Sequence, residues 1–283
     1  MIKRTWKYYD YCHNSYTPII SPRGKLSSEV LLENSFLPSV HQKTFLSIIK
    51  KIRDAIGPWN TVCGVKLDRS TITWELYFYN NRRMDPRKTV TNIVKILRSY
   101  FEIPVFKNAG IETQPYFMFS VDLSDGIFRS KQIDSVHLYM EGRSGVSQGN
   151  SYYWGYDGMC FENHYDFYLM PQEAKQFIYK IKQSAILAKD SVSFLKHGLV
   201  RQLMLCHKIC VAHKKDKDGI YFSRVNIGQL LCFLEYFSYP NHIVDFIRTH
   251  QEKLDHLLYD VAFDCTLGPK GFVFGKSSYY SIF

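Results

Sequence analysis

The chain alternates between two hydrophobic periods. Residues 61–68 and 72–80, on either side of the tripeptide RST, switch between apolar and polar at every second position, as two strands joined by a tight turn do. The same period returns at 116–123 and 135–141, across a connection holding Ser124, Asp125 and Gly126, and in a single stretch at 159–170. It recurs at 208–214 and 219–225 around KDKDG, and at 261–267 and 272–280 around GPKG. Between these stretches the period lengthens to that of a helix. Residues 86–101 open on Asp85-Pro86, a suitable N-cap and first helical position, and set Val90, Ile93, Val94 and Leu97 on one stripe. After Pro171 a second stripe carries Phe177, Ile178, Ile181 and Ala185. Further helices are predicted from Asn226, from near Pro240 through His256, and over 40–55. Residues 142–158, GRSGVSQGNSYYWGYDG, read as a long loop, because Gly, Ser and Tyr take the place of apolar alternation.

A strand pair followed by a helix, about five times, predicts an α+β fold with one antiparallel sheet of about ten strands. A sheet of that size curls, and closing it removes the exposed edges. The faces stay in phase. Cys63, Val65 and Leu67, then Trp74, Leu76 and Phe78, then Phe117, Phe119 and Val121, then Val136, Leu138 and Met140 make an apolar set for helices to cover. The opposite set mixes Gly64, Lys66 and Asp68 with Thr73, Glu75, Tyr77 and Tyr79, and adds Met118, Ser120, Asp122, Ser135, His137, Tyr139 and Glu141. With helices outside, this second set faces a lumen too wide for side chains to fill.

Composition narrows the contents of that lumen. Of 283 residues, 21 are Tyr and 20 Phe, an excess suited to a partly polar cavity. The formal charge of +10 favours an anionic partner without choosing one. No linker or low-complexity tract divides the chain, so residues 1–283 read as one domain. The seven scattered cysteines suggest a reduced, cytoplasmic setting. The start, MIKRTWKYYDYCHN, has no apolar core of a secretory signal, and no run approaches the ~18 apolar residues of a membrane span.

At VHLYMEGRS (136–144) and GVKLDRS (64–70) the chain resembles the ABBA-type prenyltransferases, above all the cyanobactin-type peptide prenyltransferases. The resemblance implies a ten-stranded barrel of repeated strand-pair-plus-helix units. It implies transfer of an isoprenoid from an allylic diphosphate, such as dimethylallyl diphosphate, to a peptide side chain or a small aromatic acceptor. Magnesium, if used, would bind through the diphosphate, since no Asp-rich box is present. On this reading Lys66, His137, Arg143, Lys208 and Lys276 hold the diphosphate. Tyr77, Tyr139, Tyr168, Tyr221 and Tyr280 shield the allylic cation, each by about 0.5–2 kcal/mol of cation–π attraction. Glu75 is the general base. His137 stands where the family has Lys or Arg, and a neutral imidazole would bring one hydrogen bond and no charge.

Each assignment has a plainer counterpart. Lys66 would also serve as a solvated strand lysine, Arg143 as a loop arginine, and Glu75 as the partner of Lys66. Lys214, beside a turn, reads as solvated. Cys206, His207, Cys210 and His213 have poor spacing for zinc. The main competing function is nucleic-acid binding through outer basic clusters at 82–83, 87–88 and 214–217. A binding barrel for an apolar ligand, without chemistry, is the third.

Overall fold

The computed structural model describes residues 8–37, 39–80, 84–104, 110–142, 145–269 and 271–283, and not the side chains of 145 and 146. Among the described residues, ten antiparallel strands form a closed barrel: β1 (Val62–Asp68), β2 (Thr71–Tyr79), β3 (Tyr116–Leu123), β4 (Val136–Gly142), β5 (Gly145–Gly155), β6 (Gly158–Leu169), β7 (Lys208–His213), β8 (Asp218–Val225), β9 (Tyr259–Gly268) and β10 (Gly271–Ile282). Each strand pairs with its neighbours in sequence. β1 closes on β10 from Val62 opposite Ile282 to Leu67 opposite Ser277. No sheet edge remains to be protected.

The outer layer comprises α1 (Glu29–Ser35), α2 (Gln42–Ile56), α3 (Val90–Leu97), α4 (Asp125–Ser130), α5 (Ala174–Ile181), α6 (Ser191–Lys196), α7 (Gly198–Leu203), α8 (Ile227–Tyr236), α9 (Asn241–Thr249) and α10 (Gln251–Leu254). None of these is long and apolar enough to cross a membrane. The segment expected as one helix over 86–101 divides in two. Thr89 is extended (φ −90°, ψ 154°), so Asp85 caps a 3-10 turn at Pro86–Lys88 and the Thr89 side chain caps α3. The apolar stripe of α3 is buried as the period predicts. α8 opens with a capping box between Asn226 and Gln229.

The two faces of β2 sort as expected. Trp74 lies under the helices, its Nε1 donating to Ser35 Oγ of α1 at 2.9 Å, with Leu76 and Phe78 in the same core. Glu75, Tyr77 and Tyr79 face inward. Two expectations fail. The supposed loop at 142–158 is mostly strand β5, paired on both sides. Its Tyr152 and Trp154 pack outward, while Ser151 and Tyr153 face the lumen, so burial on one side only hid the strand signal. Phe117 turns toward the lumen at an irregularity between Tyr116 and Met118 and leaves Tyr116 to the outer core.

A polar cluster ties β6, β7 and β8 to α5 outside the barrel. His213 Nδ1 lies 2.9 Å from Asp218 and its Nε2 3.2 Å from Asp166, which also pairs with Lys180 at 2.8 Å. Burial alone would lower the His213 pKa, but the two carboxylates outweigh it and push it up to about 9. The imidazolium therefore stabilises the fold below pH ~6.5, and that contribution is lost as pH rises through about 9. H213Q should be less stable than wild type by about 2–3 kcal/mol at pH 6. Urea titrations of both proteins should show that gap closing between pH 6.5 and 9.5, and a constant gap would refute a charged His213.

Candidate functional site

The barrel has two unlike ends. The β1–β2, β5–β6, β7–β8 and β9–β10 turns gather at one with the short connection through α4, and the longer helical connections β2–β3, β6–β7 and β8–β9 leave from the other. Tyrosines cross the waist between them. Tyr77, Tyr139, Tyr165, Tyr221 and Tyr280, one from each even-numbered strand, form a closed ring in which neighbouring centroids are 6.0–6.5 Å apart. Burial raises the pKa of all five, so the hydroxyls stay protonated. Gly64 makes room for this belt, because a Cβ there would lie 2.8 Å from the Tyr280 ring.

On the turn side of the belt lies a charged cavity of about 360 Å³. Its floor is a buried ion network. Lys66 pairs with Glu75 and, at 2.9 Å, with Asp122. His137 joins it, its Nε2 3.2 Å from Asp122 and its Nδ1 2.8 Å from Glu162. Burial would drive the Lys66 pKa down, yet Asp122 and Glu75 hold it above the lysine range. Burial would raise Glu75, and Lys66 more than reverses this, so Glu75 is ionised. For His137 the two bonded carboxylates overcome burial and push the pKa up to about 10. Nearer the turns, Lys214 and Lys217 grip Asp264 at 2.6 and 2.9 Å. Lys276 lines the same cavity and makes no ion pair among the described residues. The nearby charge of Lys66, then burial, lowers its pKa.

Beyond the belt lies a second cavity of about 360 Å³, walled by Tyr79, Phe117, Met118 and Phe167, with Cys210 and Lys208. Tyr139, Tyr165 and Tyr221 border both cavities. Glu141, Gln148 and Asn150 also line this second cavity, so the belt separates a charged cavity from a more apolar one of mixed lining.

Glu75, Lys66, Lys276, Tyr77, Tyr139, Tyr221 and Tyr280 meet around one space, as the alternation predicts. Other assignments need correction. Tyr168 points outward and packs edge-on against Phe177 of α5, and the fifth lumenal tyrosine is Tyr165, three residues earlier and so on the opposite face. His137 is charged, not neutral, but carboxylates occupy both its ring nitrogens, so it positions Asp122 and has no free donor for a diphosphate. Lys208 is lumenal but lies across the belt from Lys66 and Lys276, too remote to share their anion. Arg143 lies outside the described residues, and its neighbours Gly142 and Gly145 sit at the end of the barrel away from Lys66. Lys214 is lumenal and paired, not solvated. Of the Cys206–His213 set, Cys210 faces the lumen and His213 the outer helices.

Among the described residues, no group of three or more His, Cys, Asp or Glu is arranged to hold a metal ion. In the charged cavity, Glu75, Asp122, Glu162 and Asp264 are each engaged by lysine or histidine, so magnesium arriving with a diphosphate would rely on the phosphate oxygens.

No family model matches the chain. The chain is similar to "Putative JmjC domain-containing protein L887" of Acanthamoeba polyphaga mimivirus, at 21% identity across 88% of its own length. It spans about half of that protein, 47%.

Lys276, with no carboxylate partner, is the group best placed to meet an incoming anion. Inorganic pyrophosphate should therefore raise the melting temperature, by about 2.7 kcal/mol of linkage at a hundredfold excess over Kd. K276M should weaken binding about 10–100-fold, the worth of one charge-assisted contact. Calorimetric titration of both proteins measures this, and equal affinities would exclude Lys276 from the site.

Proposed function

We propose that the lumen transfers an isoprenoid from its allylic diphosphate to an aromatic or peptide nucleophile. The observation that carries this reading is the tyrosine belt between a charged cavity and a more apolar one of equal volume. A prenyl diphosphate has the same division into anionic head and hydrocarbon tail. With the head near Lys276 and Lys66 and the tail toward Phe117, Met118 and Phe167, the reacting carbon falls among the tyrosine rings. Neutral ring faces favour a developing cation and keep water from it.

The chemistry then follows from the network. The bond from the allylic carbon to oxygen breaks, and its electron pair leaves with the diphosphate. The acceptor's electron pair forms the new bond, and its proton must be taken up. Glu75 is fully engaged, with Lys66 and Tyr77 on one carboxylate oxygen and Ser120 and Tyr139 on the other. The acceptor therefore gives its proton to the Tyr139 oxygen as Tyr139, 3.2 Å from Glu75, passes its own to the carboxylate. A diphosphate that draws Lys66 toward itself also relieves the depression of the Glu75 pKa. Leaving-group binding and base strength would then be coupled.

The competing readings have less support. Of the basic clusters proposed for nucleic acid, Arg82 and Arg83 lie outside the described residues. Arg87 is bound to Asp85, Lys88 is buried against Asn60, and Lys214 and Lys217 hold Asp264. The mimivirus protein's name refers to a JmjC domain. Here the strands follow one another in a simple meander, and the match covers half of that protein.

Incubation with dimethylallyl diphosphate and tyrosine-containing peptides or small phenols should yield products heavier by one prenyl group. E75Q should slow single-turnover transfer about 10²–10⁴-fold. It should also lower stability by less than the ~3–5 kcal/mol typical of breaking a buried pair, because Asp122 still balances Lys66. Consumption of no isoprenoid diphosphate would sink the proposal, and an unchanged rate in E75Q would remove Glu75 from it.

A further inference from the structure

The helical end of the barrel is stoppered by a segment outside the sheet. Residues 8–16 fold back on themselves: Tyr9 bridges Ser15, Tyr16 N donates to Tyr8 O at 2.9 Å, and Asp10 N donates to Asn14 O at 3.1 Å. No strand ladder joins this hairpin to the barrel among the described residues. Side chains hold it instead. Arg224 Nε donates to the buried Asp10 carboxylate at 2.9 Å, and its guanidinium reaches Ser15 O at 3.3 Å. The Tyr11 amide donates to Asp260, and Tyr79 donates its hydroxyl to Tyr11 O.

The hairpin carries an aromatic ring into the belt. The Tyr11 centroid lies 4.0 Å from that of Tyr280, 5.2 Å from Tyr77 and 6.1 Å from Tyr221. Tyr11, Cys12 and Asn14 form one wall of the apolar cavity. The latch is built under tension. Arg224 adopts φ +66°, at an irregularity in the pairing between Ser223 and Val225, and so both its guanidinium and its amide reach carboxylates. Two buried carboxylates meet at Arg224, Asp10 on its guanidinium and Asp260 on its backbone amide. Burial, then Asp10, pushes the Asp260 pKa up to about 8. With His13 against Trp59 O and Tyr16 bonded to the Leu258 backbone, this wall is held by side-chain bonds rather than by a strand ladder, and it presents a ring like those it covers.

We propose that residues 8–16 are a gate over the apolar cavity, latched by Arg224 on Asp10, and that an aromatic or isoprenoid-sized apolar ligand enters by displacing Tyr11 from the tyrosine belt. The proposal concerns access and stands whether or not the lumen catalyses prenyl transfer. It rests on the hairpin's lack of sheet pairing and on the match between Tyr11 and the belt.

The neutral fluorophore N-phenyl-1-naphthylamine is a suitable probe, with its association followed by stopped flow. D10N, which keeps the side-chain shape, and R224A should each admit it about tenfold faster or more than wild type, since each removes a charge-assisted bond. K50M, on the exposed face of α2, should behave as wild type. Hydrogen exchange on the unmutated protein provides a check that does not depend on a variant folding. Probe binding should expose the Tyr11 amide while the Tyr221 amide in β8 stays protected. Equal association rates in wild type, D10N and R224A, an unchanged Tyr11 amide, or no probe binding at all would each overturn the gate.

Discussion

A closed sheet of ten strands encloses more space than its inward side chains can fill, and every charge inside must find its partner across that space. The other features of the lumen follow from this constraint. Lys66 projects from β1 into the interior, and Glu75 of β2 and Asp122 of β3 answer it from the next two strands. Asp122 calls in His137 of β4, which in turn is held by Glu162 of β6. The charges run around about half of the wall, from β1 to β6. Across from them Asp264 of β9 binds two lysines, and Lys276 of β10 stands without a counter-ion. Among the described residues, Lys276 and the exposed Lys215 line this cavity without an ion pair.

Strand alternation made much of this visible before the structure. The period-two rule places Lys66, Glu75, Tyr77 and Tyr139 on one face because β1, β2 and β4 are regular at those positions, with apolar residues marking the other face. The rule failed where its premise failed. β5 has small residues and tyrosines where core residues were sought, since one of its faces borders a wet lumen. In β6 both faces carry aromatic and polar residues, so Tyr168 and Tyr165 were indistinguishable by type. Only their opposite parity separates them, and parity needs a fixed register. Lys208 had the correct face but the wrong height along the barrel, a coordinate that alternation does not encode.

The charge state of His137 and the part played by residues 8–16 were out of reach for another reason. Both depend on contacts between segments far apart in the chain: Asp122 and Glu162 around an imidazole, Arg224 and Asp260 around a hairpin. A short polar-aromatic run near the start of a chain looks the same whether it is free or seated in a barrel. The similarity to part of a mimivirus protein does not supply such contacts. Side-chain chemistry sets the options, and long-range geometry selects among them.

The tyrosine belt has a further consequence. Its rings come from the even strands, and the odd strands set small side chains beside them: Gly64 and Ala262 flank Tyr280 and Tyr221, while Ser120, Ser151 and Ala212 adjoin Tyr77, Tyr139 and Tyr165. Large and small residues alternate around the circumference, as they do in tapered barrels. The small residues between the rings therefore set how closely the belt closes. One added methyl at Gly64 would press on the Tyr280 ring from behind and force it to shift. What passes from one half of the lumen to the other is thus limited by the side chains that are smallest there.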